Sequence, residues 1–134
     1  MRNTAILLLT LVLTACATSP TPLSQAQPVD PSRVLANMTP GKDLVPVTFV
    51  RDQGFTGSAC NTRILVNGTL SALIAPGEYV TLHLKPGKTI LGAGSNCWGA
   101  GTTEYGTTIG RDEFSKFRVS LDGNGVLSLA PTAY

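Results

Sequence analysis

The 134-residue sequence predicts an all-β protein, a small antiparallel β-sandwich of about seven strands. Three observations lead there. Charged residues are sparse at 13%, while 14 glycines and 9 prolines punctuate the chain. Between them lie short runs rich in Val, Ile, Leu and Thr. Turn dipeptides recur at near-regular spacing, as they do in sandwiches and small barrels.

The strands follow in order from Leu44. Val45 to Arg51 alternates and is rich in Val, Thr and Phe. Arg63 to Val66 leads into Asn67-Gly68, the preferred two-residue type I′ hairpin turn, and Thr69 to Ala75 returns as its partner. After Pro76-Gly77, Tyr79 to Lys85 places Val80, Leu82 and Leu84 on one face and Tyr79, Thr81, His83 and Lys85 on the other. Pro86-Gly87 turns the chain into Lys88 to Leu91. Phe114 to Leu121, the turn Asp122-Gly123-Asn124-Gly125 and Val126 to Ala130 complete the pattern. Gly92 to Gly110 is either a long loop or a glycine-bent hairpin held at Cys97.

The first fifteen residues have a different plan. Arg2 supplies a positive start, Ala5 to Val12 an apolar centre, and Thr14 and Ala15 a small-residue end, the layout of a secretory signal. The apolar run is short of the roughly 20 residues that span a bilayer. Leu13-Thr14-Ala15-Cys16 resembles the lipobox of bacterial lipoproteins. The resemblance implies cleavage before Cys16, lipidation of Cys16, and export. One acyl chain binds membranes marginally and several bind stably, so the several chains of such lipoproteins imply a lasting anchor. Ala17 lacks the Asp that retains inner-membrane lipoproteins, so the resemblance points to the outer membrane. A second likeness covers about residues 45–92. Ile64-Leu65-Val66-Asn67-Gly68, Pro76-Gly77-Glu78-Tyr79 and Leu84-Lys85-Pro86-Gly87-Lys88 resemble PEGA-like or transthyretin-like domains of bacterial lipoproteins. Such domains are usually non-enzymatic envelope modules.

Three regions follow: a signal peptide (1–15), a lipidated cysteine with a Pro-rich tether and a short helix (16–43), and the sandwich (44–134). The tether would reach on the order of 90 Å at about 3.4 Å per residue, or about 30 Å as a relaxed coil. Asp30 and Pro31 suit the cap and first position of one or two helical turns. With Cys16 given to lipid in an oxidising compartment, Cys60 and Cys97 are expected to form a disulfide. A metal site wants three or four ligands, and two distant cysteines with the lone His83 make a poor set.

Removing residues 1–15 leaves 119 residues with 9 basic and 8 acidic side chains. That bounds the rest to one domain and offers no basic run for nucleic acid. Gly92-Ala93-Gly94 lacks the third glycine of a dinucleotide loop, because Cys97 holds that place. Gly94-Ser95-Asn96-Cys97-Trp98 echoes the surroundings of a papain-type nucleophile, but no histidine follows Cys97. Asp52, Asp112 and Asp122 fall at expected turns, where Asp supports the local backbone. No catalytic residue, metal or cofactor is expected. Trp98 either packs on the disulfide or joins Glu104 and Tyr105 as a partner contact. The function expected is non-enzymatic protein contact in the envelope, as an accessory of a secretion, conjugation or surface assembly. Two alternatives are an inhibitor or exclusion lipoprotein acting on lysozyme or phage, and a peptidoglycan or carbohydrate binder.

Overall fold

Alternation of apolar and polar side chains builds two facing sheets. The structure is a computed structural model that describes residues 18–97, 101–113 and 115–133. Its strands are β1 (Gln27–Pro28), β2 (Val45–Arg51), β3 (Thr62–Val66), β4 (Thr69–Ile74), β5 (Glu78–Leu84), β6 (Gly87–Ser95), β7 (Thr102–Ile109), β8 (Lys116–Leu121) and β9 (Leu127–Pro131). One sheet runs β1-β5-β2-β8-β9 and the other β4-β3-β6-β7. Val47 and Phe49 of β2, Leu82 of β5, and Phe117 and Val119 of β8 face Ile64, Ala72, Leu91 and Ala93 of the opposite sheet in one buried core. Phe49 and Phe117 stack at 5.8 Å between ring centroids, and Tyr105 meets Phe117 edge-on at 5.8 Å.

The expected hairpins form where the turn residues call for them. Asn67 and Gly68 both take positive φ (48° and 78°), as a type I′ turn requires. Asp122 Oδ1 accepts the Asn124 and Val126 amides at 2.8 and 2.9 Å, closing the β8–β9 turn. The long glycine-rich segment is a hairpin rather than a loop: β6 continues to Ser95 and pairs with β7 from Gly87↔Ile109 to Gly94↔Thr102. Gly94 leaves room for its neighbours across the sheet: a Cβ there would stand 2.9 Å from Thr102 Oγ1 and 3.0 Å from an Arg63 terminal nitrogen, so those side chains would have to shift.

Two features depart from the expectation. The sandwich is not wholly antiparallel, because β2 pairs β8, and β1 pairs β5, in parallel. Residues 18–43 were expected as an extended tether, yet from Thr18 to Met38 the chain lies against the sandwich. Thr18 N–H and hydroxyl both donate to the Leu121 carbonyl, and its Oγ1 accepts the Leu121 amide at 3.0 Å. Ser19 N–H donates to the Gln53 carbonyl at 2.7 Å. Val29 is buried in the core and donates its amide to the Tyr79 carbonyl. The short helix is a single 3-10 turn, Pro31–Arg33, with Asp30 as its cap and Pro31 at its start. Leu35 then donates to the Ser71 carbonyl beside β4. The segment therefore straps the seam between β5 and β4, the edge strands that a bare sandwich would leave open.

Arg33 and Glu78 pin this strap through paired bonds of 2.7 and 2.6 Å. Burial works to raise the Glu78 pKa, but Arg33 and the Ala75 amide outweigh it and hold the carboxyl below its usual 4.5. A depressed carboxylate stabilises the fold above its unfolded pKa, and that contribution is lost as pH falls through the folded value. Glu78→Gln is therefore expected to cost about 1 kcal/mol at pH 7, since the pair is partly open to solvent. The deficit should shrink as the medium is acidified below 4.5. Denaturant unfolding at both pH values checks this, and a deficit independent of pH would refute it.

Candidate functional site

The two ends of the sandwich differ in chemistry. At the end where β2 and β8 finish, two consecutive charged residues are buried, Arg51 at 1% and Asp52 at 0% exposure. Arg51 donates to the carbonyls of Ile74 (3.2 Å), Gly57 (2.7 Å) and Cys60. Burial lowers its pKa to about 10, against the pull of Glu78, so it stays a cation at neutral pH. Asp52 accepts Arg118 Nε at 2.7 Å and Nη2 at 2.6 Å through one oxygen, and the Thr21 amide at 3.1 Å through the other. Asp52, expected at a turn in support of its local backbone, instead closes a buried network that ties the leading segment to β8. The Cys60–Cys97 disulfide forms as expected, with Cα atoms 5.7 Å apart, and closes the same end.

Glu104 and Tyr105 both lie on β7 but do not form one patch. Neighbouring strand residues point to opposite faces. Glu104 is exposed, while Tyr105 is half-buried against Phe117. Trp98 and Cys16 lie outside the described residues. What unites Glu104 with a surface is the strand itself, since β7 terminates its sheet. Asn67 N–H donates to the Ile90 carbonyl, so the main chain of Ile90 faces β3. Alternation then turns Leu91 toward its partner Tyr105, and leaves the peptide groups of Glu104, Gly106 and Thr108 facing outward. Among the described residues no strand pairs with that edge.

The opposite end carries all four lysines of the chain, Lys42, Lys85, Lys88 and Lys116. A cleft of about 550 Å³ opens there between residues 36–39, the Asn67 turn and the β5–β6 turn. Its walls include His83, Lys85, Lys88, Asn37, Asn67, Thr69 and Thr89, and no carboxylate. His83 Nδ1 lies 3.1 Å from the Met38 carbonyl, and its amide donates to the Asn37 carbonyl at 2.8 Å. His83 therefore braces the end of the strap. Among the described residues no three of His, Cys, Asp and Glu converge as a metal site would need.

Sequence reasoning did not find Arg51 and Asp52 as a buried pair, nor the cleft. The first had no distinctive signal, because charged residues at the end of a strand are ordinarily solvated and Asp52 stood at an expected turn. The cleft had no local signal, because its lysines come from both sides of a turn and its far wall from a segment whose Met38 lies 45 residues before His83. No protein family, curated protein or solved structure matches this chain. The site is therefore defined by its own geometry, as an all-β, disulfide-closed domain in which, among the described residues, β7 and β9 end their sheets without a further strand, with a basic cleft at one end.

Proposed function

We propose that this chain is an outer-membrane lipoprotein, cleaved before Cys16 and lipidated there, that acts without catalysis by contact with another envelope protein. The observation that carries the contact reading is the β7 edge. An eight-residue strand without proline, whose only charge is Glu104, lacks the lysines and prolines that usually blunt an edge. Such an edge accepts an extended segment of a partner by main-chain hydrogen bonding, with side-chain pockets adding specificity.

Three substitutions test the two halves separately. Cys16→Ala is expected to move the protein from the membrane fraction to the soluble fraction and to abolish incorporation of labelled palmitate. A photo-cross-linking residue at Glu104, in the native cells, is expected to trap one defined partner. Gly106→Pro should abolish that cross-link while leaving the fold intact, because it removes an outward N–H and no ladder bond. An unchanged cross-link in Gly106→Pro would rule out strand addition at β7.

The cleft favours a second reading, binding of an anionic, hydroxyl-rich polymer such as peptidoglycan. Its lining of His83, Lys85 and Lys88 among Asn and Thr side chains, without a carboxylate, suits that ligand. Retention on peptidoglycan that is lost in Lys85→Glu/Lys88→Glu would support it.

A further inference from the structure

We infer that the sandwich rests on the bilayer by the end that holds Thr18, with Phe55 and Val126 entering the lipid interface and the lysine-bearing cleft facing away. The inference rests on lipidation of Cys16. Its geometric basis is the docking of the chain from Thr18 onward. Only Cys16 and Ala17 separate that docked residue from the lipid, and two residues reach at most about 7 Å. A domain on a 30-residue tether would sample every orientation; one held this closely cannot.

Three segments meet at Thr18. Leu121 bonds it directly, and the turn after Leu121 carries Val126, which is 61% exposed. Ser19 bonds the Gln53 carbonyl, and Gln53 opens the loop that carries Phe55, 85% exposed. That loop returns to the same place, because a Cβ on Gly57 would stand 2.9 Å from a Leu121 methyl. The two most exposed large apolar side chains of the described residues are therefore on loops beside the anchor point. An apolar side chain held at the headgroup level gains by entering the acyl boundary, where lone residues in water gain nothing. The alternative orientation would lay the lysines on anionic lipid. It is excluded by length. The seven residues of β5 separate the two ends by about 20 Å at roughly 3.3 Å per residue, several times the reach of the link.

The test uses the full lipidated protein in vesicles of phosphatidylethanolamine and phosphatidylglycerol. A benzoylphenylalanine replaces, in turn, Phe55, Val126, Ile90 and Met38. The last two are exposed at the far end, so they report the opposite orientation. Intact mass first establishes that Cys16 carries acyl chains. Lipid adducts several-fold more abundant at positions 55 and 126 than at 90 and 38 are expected. Equal adducts at all four positions, with Cys16 acylated, would overturn the orientation and leave the lipoprotein reading standing. Adducts at position 55 to a second copy of the chain would overturn it in favour of self-association. An unacylated Cys16 would remove both.

Discussion

Arg51→Met is expected to destabilise the domain by about 3–5 kcal/mol, the largest effect of any single substitution outside the apolar core. Methionine fills much of the same volume but donates nothing. The carbonyls of Cys60, Gly57 and Ile74 would lose their shared donor; that of Ile74 is buried and the other two are partly so. Bonds to a charged donor contribute about 1.5–3 kcal/mol each, offset here by the cost of burying the cation. Arg51→Lys should fall between the two, since one ammonium cannot span three acceptors held in a fork. Denaturant unfolding measures the difference. A loss below about 1 kcal/mol for Arg51→Met would mean that water replaces the guanidinium and that this end is open.

Removing the disulfide by Cys60→Ala/Cys97→Ala is expected to cost about 4 kcal/mol. The bridge joins residues 37 apart, and closing such a loop restricts the unfolded chain by about that much. Against a typical net stability of about 5–15 kcal/mol for a domain, this decides whether the protein stays folded at physiological temperature. Thermal unfolding with and without reductant gives a direct reading, and an unchanged midpoint would contradict it. The two effects should not add. Arg51 donates to the carbonyl of Cys60 itself, so loosening the bridge also loosens an acceptor. A triple variant is expected to fall short of the sum by about 0.5–3 kcal/mol, the range for residues sharing a partner.

Hairpins were readable because their causes are local. Asn67-Gly68 specifies a tight turn by its own backbone preferences, and the flanking alternation selects the buried face. Val45–Arg51 was legible to the residue, because period-2 alternation marks a strand whatever it pairs with. The disulfide was expected from the cysteine count and from the oxidising compartment that the lipobox resemblance implies. Partnership between distant strands was not readable. Nothing within Val45–Arg51 names β5 and β8 as its neighbours, or makes the second pairing parallel. The glycine-rich stretch after Gly92 was ambiguous for a related reason. Gly92 and Gly94 are strand residues only because Leu65 and Arg63 lie across them, and those lie on another strand.

The leading segment shows the division most sharply. Its composition, four prolines among mostly polar residues, is that of a solvated extended chain, and its few apolar side chains follow no period that marks a buried face. Docking depends on single contacts spread along it: Thr18 on Leu121, Thr21 on Asp52, Val29 in the core, and Arg33 on Glu78. Each of those partners is at least 30 residues away. The sequence by itself therefore determined the strand content, the hairpin turns and the expectation of an anchored, exported domain, since these depend on neighbours along the chain. Which edges are covered, where the buried Arg51 and Asp52 find partners, and that the segment from Thr18 to Met38 lies on the sandwich were decided by tertiary structure, because each is a hydrogen bond or packing contact whose two sides meet only after folding.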